Sequence, residues 1–328
     1  MSEVTDTPYD GLSPDTILDA LDSCGFHCDG SLLALNSFEN RVYQLRQEDG
    51  SFVVAKFYRP GRWSEAAILE EHAFSFELKD HDLPVVAPLP LDGTTLFEFA
   101  GFRFAVFPRQ GGHPPDLEIP DQFTVLARTL GRMHAVGAAA KFEHRAEFSA
   151  RRLGHDCRSF LLENNWLPLE LEPAYETITQ AVLEVIDETL PDPRNNIRIH
   201  GDCHLGNILW RDDAPHFVDL DDTVHGPPIQ DLWMLISGER DEREGQLKRL
   251  LDAYLPFYEL DLASLRSIES LRTLRIMHHA AWLARRWHDP AFPLAFPWFD
   301  TEKYWSSHIL ELREQQAMLQ EQPLSYLR

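Results

Sequence analysis

Residues Ile199–Trp210 read IHGDCHLGNILW and put two histidines, a cysteine, an aspartate and an asparagine into twelve positions. Three chemistries compete for such a stretch: a metal-ligand cluster, the bed of a nucleophile, or a loop that aims a base and a metal ligand at a phosphoryl group. His200, Asp202, Cys203 and His204 are all ligand types for zinc. A zinc site with adjacent ligands, however, draws its remaining ones from a second motif, and nothing downstream reads H-E-x-x-H or C-x-x-C. A Cys203/His204 nucleophile pair fits less well, because neighbours on extended backbone point to opposite faces.

Phosphoryl transfer asks for a carboxylate near the accepting hydroxyl, oxygen ligands for a metal, and a cation on the phosphates. Asp202 and Asn207 stand five residues apart across a turn containing Gly206, and Asp219 follows Asn207 by twelve, after the strand-like His216-Phe217-Val218. Two neighbouring strand ends would thus present a base, an amide oxygen and a carboxylate, and hard oxygen donors suit Mg²⁺. Upstream, Lys56 lies inside the apolar run Phe52-Val53-Val54-Ala55-Lys56-Phe57. Alone it reads equally as an edge-strand solubiliser or a phosphate-binding cation; the downstream triplet favours the cation. A buried lysine needs a counter-charge, and Glu70 and Glu71 occupy the next helical segment. Glu71 is the choice, since helical rotation sets it on the face of Phe74 and Leu78.

Working outward, the chain divides by texture. Ser13-Pro14-Asp15 carries the marks of a helix start, and Gly25 ends that helix. Strands are expected over Arg41–Gln47 and Phe52–Tyr58, around the hairpin signal Asp49-Gly50, and over Thr94–Phe99 and Phe102–Phe107. A helix over Ser64–Leu78 separates the two pairs. Beyond Pro108, Gln110-Gly111-Gly112 and Pro114-Pro115 read as a linker. Helical periodicity then dominates, with stretches near Phe123–Gly137, Pro168–Glu188, Gln230–Ser237, Leu247–Tyr258, Leu262–Trp287 and Tyr304–Gln320. The expected fold class is α+β and bilobal, with residues 1–108 forming a small antiparallel-sheet lobe and residues 109–328 a larger helical one.

Composition narrows the partners. Among 328 residues, 53 acidic against 30 basic give a formal charge of −23, a field that repels nucleic acid and anionic lipid. Cys24, Cys28, Cys157 and Cys203 make no disulfide framework in a chain of this length. The N-terminus is acidic and polar, and no apolar run approaches the ~20 residues a membrane span requires. The expectation is a monomeric cytoplasmic protein.

His200-Gly201-Asp202-x4-Asn207, followed by Val218-Asp219-Leu220-Asp221, resembles the catalytic core of the aminoglycoside phosphotransferase and choline kinase group, which shares the protein-kinase-like fold. The likeness continues through Asn36–Tyr43, Val54–Pro60, Leu130–His134, Gln230–Met234 and Asp289–Pro293. Taken in order, these stretches are similar over essentially the whole chain to a bacterial stress-response branch that phosphorylates protein serine or threonine. The resemblance implies ATP as co-substrate and Mg²⁺ as cofactor. It implies Asp202 as the base, Asn207 and Asp219 as metal ligands, and Lys56 on the α/β-phosphates, tethered by Glu71. Ser37 would approach the phosphates from the turn between the first two strands. Phe107-Pro108-Arg109 would be the hinge that meets adenine, and Asp231 would brace the catalytic loop.

The chain also departs from protein kinases. It carries no G-x-G-x-x-G, and Gly201 stands where they place an arginine that docks activation-loop phosphate. Only six residues lie between Asp219 and Gly226, little room for a peptide-docking segment, which bottom-up favours a small-molecule alcohol as acceptor. The whole-chain resemblance favours a protein serine or threonine. Asp221 and Asp222 are open between a role beside the metal and a solvated turn, and His204 reads as a packed loop residue.

Overall fold

The computed structural model describes residues 7–326, so the N-terminal stretch before Thr7 lies outside the description. The chain forms two compact units. One comprises the chain up to Gln122 together with Phe142–Arg145 and Leu205–Thr223; the other comprises Phe123–Lys141, Ala146–His204 and Val224 onward.

In the first unit, α1 (Pro14–Ser23) is capped by the Ser13 hydroxyl, which accepts from the Thr16 amide. It packs on a five-stranded antiparallel sheet of order β1-β2-β3-β5-β4. These strands are β1 (Cys28–Ala34), β2 (Arg41–Gln47), β3 (Phe52–Phe57), β4 (Phe97–Phe99) and β5 (Phe102–Pro108), with α2 (Glu65–Asp80) between β3 and β4. Alternation along β3 decides what the sheet presents. Val53, Ala55 and Phe57 join Ile17, Leu21, Leu45 and Phe104 in one core, so Lys56 projects from the opposite face. There it is paired across the ladder with Ala105, which clusters with Tyr58 and Ile68 of α2. The strand expected from Thr94 shrinks to Phe97–Phe99. Asp92 and Gly93 both take positive φ (48° and 84°), and Leu91 and Thr94 exchange backbone hydrogen bonds across them, which makes a two-residue hairpin turn. The unit is completed by the hairpin of β7 (Ile208–Arg211) and β8 (Ala214–Phe217), in register Ile208↔Phe217.

The second unit is mainly helical. It holds most of α3 (Pro120–Gly137), then α4 (Asp156–Glu163), α5 (Glu172–Thr189), α6 (Ile229–Trp233), α7 (Arg240–Tyr254), α8 (Ile268–Arg286), α9 (Ala291–Ala295) and α10 (Glu302–Leu319), with the two-stranded ladder of β6 (Ile197–Ile199) and β9 (Val224–Gly226). The helix expected over Leu262–Trp287 is divided. Leu262–Ser267 is a 3₁₀ turn in which the Ser264 and Ser267 hydroxyls bond the carbonyls three residues back, the local competition that shortens helices at serine. α3 ends against β6, where a Cβ on Gly137 would sit 2.1 Å from the Arg198 carbonyl oxygen. The buried Arg198 guanidinium donates to the carbonyls of Val136 and Gly137, the favourable place for a cation on a helix dipole. β6 is thereby fixed, and the next residues are His200-Gly201-Asp202.

Candidate active site

Lys56 is 5% exposed, and burying an ammonium demands partners. It has three. Nζ lies 3.0 Å from Asp219 Oδ1, 3.2 Å from Asp221 Oδ1 and 3.4 Å from Glu71 Oε1, and it lies 5.0 Å from the centroid of the Tyr58 ring. Burial opposes its charge, but the three carboxylates outweigh burial and raise its pKa well above the lysine norm. Burial, resisted by Lys56 and reinforced by Asp221, pushes the Glu71 carboxyl up to about 7. Of the two buried acids beside the lysine, Glu71 is thus the readier to take a proton and Asp221 the less ready.

The two glutamates of α2 divide their work. Glu71 is buried and faces Lys56, whereas Glu70 accepts from the backbone amides of Glu143, His144 and Arg145 at 2.6, 2.8 and 3.0 Å. That anchor sets Arg145, whose buried guanidinium donates to the carbonyls of Ala67, Asp221 and Thr223 and passes 3.9 Å from Glu71.

Asp219 caps a single 3₁₀ turn, Leu220–Asp222, with φ 58° and ψ 62°. Aspartate is among the few side chains that visit this left-handed region, and such residues gather at functional sites. Its side chain is half exposed. Asn207 ends another 3₁₀ turn, Leu205–Asn207, and its carbonyl accepts from the Val218 amide at 3.0 Å. The β7–β8 hairpin thus brings Asn207 and the residue before Asp219 together.

Sequence reading left Asp221 open, and the structure buries it. Its carboxylate accepts from Asn40 Nδ2 at 3.0 Å and pairs with Arg62, which also reaches Asp222. Burial opposes the charge, but Arg62, Lys56 and Arg145 hold the carboxyl well below the usual range. Arg62 and Arg145 escaped sequence reading, and Asn40 entered it only within the stretch Asn36–Tyr43. Their signal is a tertiary one, a single buried carboxylate that collects donors from three separate segments.

Ser37 lies in the turn between β1 and β2. The turn is held by guanidiniums: Arg41 and Arg59 donate to the Phe38 carbonyl, and Arg59 also donates to that of Glu39. Phe107 pairs with Val54 in the ladder, and its ring meets His72 edge-on at 6.5 Å. Arg109 is exposed and bonds the Gln44 side chain at 3.2 Å. Behind Lys56 runs a buried polar chain, Tyr58 Oη to His72 Nε2 and His72 Nδ1 to Thr95 Oγ1, both 2.8 Å.

In the second unit, Gly201 takes φ 86°, which favours glycine. Asp231 of α6 accepts from the His200 amide at 2.8 Å and the Gly201 amide at 2.9 Å, so the bracing expected of it is a pair of backbone hydrogen bonds. Asp231 is itself held by buried His134 at 3.2 Å, whose other ring nitrogen meets Tyr254 Oη at 2.7 Å. Cys203 is fully buried, and burial raises its thiol well above the usual value, which makes it packing rather than nucleophile. Asp202 remains partly exposed. Burial works against its charge, but His204, 3.5 Å away, and Arg275 of α8, which donates to Oδ1, outweigh burial and hold the carboxyl below the normal range.

The metal question is one of donor type. Among the described residues, no three His, Cys, Asp or Glu side chains converge as a metal cage. Mg²⁺ does not need one, since it binds through one or two protein oxygens plus phosphate and water. The Asp219 carboxylate and the Asn207 amide oxygen are of that kind.

The phosphotransferase enzyme family matches residues 31–268. Stress response kinase A of Escherichia coli O157:H7 is 44% identical over 316 residues, covering 96% of each chain. The serine/threonine protein kinase RdoA of Salmonella typhimurium is 42% identical over the same span and coverage. Among solved structures, an amicoumacin kinase in complex with AMP-PNP and Ca²⁺ superposes with a TM-score of 0.74 at 19% identity, covering 100% of this chain and 98% of that one. A microcompartment-associated aminopropanol kinase gives 0.66 at 16% identity, with coverages of 92% and 96%. At such identities the structural likeness speaks for the fold.

Proposed function

The chain is a kinase belonging to the phosphotransferase enzyme family, and from that premise we propose that it moves the γ-phosphoryl group of ATP, with Mg²⁺, to a serine or threonine hydroxyl of a protein. The observation that carries the nucleotide half is Lys56, buried with its ammonium between Glu71 and Asp219. A lysine so fixed is a preorganised cation for phosphate oxygens. Full-length similarity to stress response kinase A and to the serine/threonine kinase RdoA supports the protein acceptor.

Each residue then has a task. Lys56 contacts the α- and β-phosphates, and Glu71 keeps its ammonium aimed. Ser37 approaches the phosphates from a turn whose carbonyls are already taken by Arg41 and Arg59. The Phe107-Pro108-Arg109 backbone meets the adenine. Asn207 and Asp219 would hold Mg²⁺, which would supply positive charge against the phosphate oxygens. Asp202 accepts the proton of the attacking hydroxyl; a depressed pKa keeps it ionised, while His204 and Arg275 orient it. Asp231 holds the loop through backbone amides, so side-chain geometry at Asp202 does not drift.

A second reading keeps the chemistry and changes the acceptor to a small-molecule alcohol. It is favoured by the short path from Asp219 to β9, which begins at Val224 and leaves little chain for docking a peptide. Transfer of labelled phosphate from ATP separates the two readings, with generic proteins in one arm and a panel of alcohols and aminoglycosides in the other. Label on protein, lost in Asp202→Ala by about 10²-fold or more, is the expected result. Label only on a small molecule reverses the acceptor assignment, and full activity of Asp202→Ala removes the base assignment.

A further inference from the structure

The proposed chemistry leaves open what surrounds the acceptor hydroxyl, and α8 answers from its own surface. Arg275, His279, Trp282 and Arg286 recur at spacings of four, three and four residues, which sets them along one face of the helix. Arg275 donates to Asp202 Oδ1 through Nη1, yet 43% of its side chain is exposed. A guanidinium carries five donors, so this one can hold Asp202 and still face a ligand. Further along, His279 stacks on Trp282 at 5.7 Å. Trp282 packs on Phe292 and Phe296 at 5.0 and 6.0 Å, and Phe296 leads to Trp298 at 5.8 Å. Trp298 is 44% exposed and neighbouring Leu294 84%.

The surface beginning at Asp202 therefore runs from cation to imidazole to exposed apolar side chains. In a chain of net charge −23, an exposed arginine touching the proposed base is set against the general field. It repels the ammonium of an amino alcohol or aminoglycoside and attracts a carboxylate.

Resting on the protein-kinase reading, we propose that the acceptor is a peptide segment with an aspartate or glutamate beside its serine or threonine, and that Arg275 is the residue that reads this acid. The same segment lays an apolar side chain on the Trp282–Trp298 surface. From Arg275 to Trp282 the helix rises about 10 Å, at about 1.5 Å per residue. An extended peptide covers that distance in about three residues, which sets the interval between its acid and its apolar anchor.

The test uses serine peptides identical except for glutamate or lysine beside the acceptor, each with leucine about three residues beyond the variable position. Wild type, Arg275→Gln and Arg275→Glu are compared by kcat/KM, with autophosphorylation followed alongside. Wild type is expected to favour the glutamate peptide by a few-fold up to about tenfold, the swing from attraction to repulsion at one exposed charge, mainly through KM. Arg275→Gln should level the two peptides and Arg275→Glu should invert their ratio of kcat/KM, whatever both lose through the freed Asp202, and an inverted ratio is something a misfolded variant cannot produce. Peptides labelled without regard to charge, or a wild-type preference for lysine, overturn this proposal and leave the protein-kinase reading standing. Label on a cationic alcohol with none on any protein or peptide overturns both.

Discussion

Asp221 and Asp202 are both carboxylates held in their charged form by arginine, yet they lie in unlike settings. Asp221 is 2% exposed and is surrounded by Arg62, Lys56, Asn40 and the segment of Arg145. Asp202 keeps 23% of its side chain exposed and touches Arg275 and His204, which are themselves exposed. A buried carboxylate set between the guanidinium of Arg62 and the ammonium of Lys56 cannot accept a proton without breaking its site. One held from one side by partly exposed groups can. On the proposed reading, the difference separates an acid that holds cations in place from an acid that takes up a proton.

Two substitutions put the comparison at risk. Asp202→Asn should lower kcat by about 10² to 10⁴, the range for a positioned proton acceptor, while the melting temperature stays near wild type because Arg275 falls back on solvent. Asp221→Asn should act first on stability, by about 3–5 kcal/mol, since it leaves Lys56 and Arg62 buried with less counter-charge. Thermal melts and steady-state rates on both variants check this. If Asp202→Asn melts early while Asp221→Asn keeps its stability and loses only turnover, the division of labour is reversed.

Much of the site was legible because it is written locally. Lys56 stood out as a lysine inside an apolar strand, read as a cation only beside Asp202, Asn207 and Asp219, and helical rotation chose Glu71 over Glu70. The turns carrying Asn207 and Asp219 were marked by glycine, spacing and a short strand. What stayed illegible is what only tertiary packing supplies. Nothing near Arg62, Asn40 or Arg145 in the sequence announces that all three serve Asp221, and no local pattern distinguishes Arg275 from the other arginines of α8. Charge pairs between remote segments leave no periodic trace. Backbone chemistry also shifted boundaries: the Asp92-Gly93 turn shortened β4, and Ser264 with Ser267 split the helix expected over Leu262–Trp287.

The same contrast between engaged and exposed groups extends to pH. His72, between Tyr58 and Thr95 behind Lys56, is pushed down to about 3, first by burial and then by the charges of Lys56 and Arg145. A base depressed in the folded state is protonated more readily when unfolded, so its stabilising effect is full above about 6.5 and is lost as pH falls toward 3. Between pH 6.5 and 5 the loss is about 2 kcal/mol, at about 1.4 kcal/mol per unit. His72→Gln, which can still bond Tyr58 and Thr95, should flatten this part of the pH–stability curve measured by denaturant melts. An unchanged acid limb would mean that His72 is not the group that titrates.

The smallest expected effect comes from the residue next to Glu71. Glu70 touches neither Lys56 nor Asp219 and holds three amides of 143–145 at the edge of solvent. Water can replace most of those bonds, so Glu70→Ala should cost about 1–2 kcal/mol and leave the KM for ATP near wild type. Glu71→Gln, one position along the same helix, should raise that KM, because the ammonium of Lys56 then answers to Asp219 and Asp221 alone. The pair is informative because both substitutions replace a carboxyl group on the same turn of α2. If Glu70→Ala weakens nucleotide binding as much as Glu71→Gln does, the 143–145 segment, through Arg145 and its bonds to the Asp221 and Thr223 carbonyls, governs the nucleotide site more than direct charge on Lys56 does.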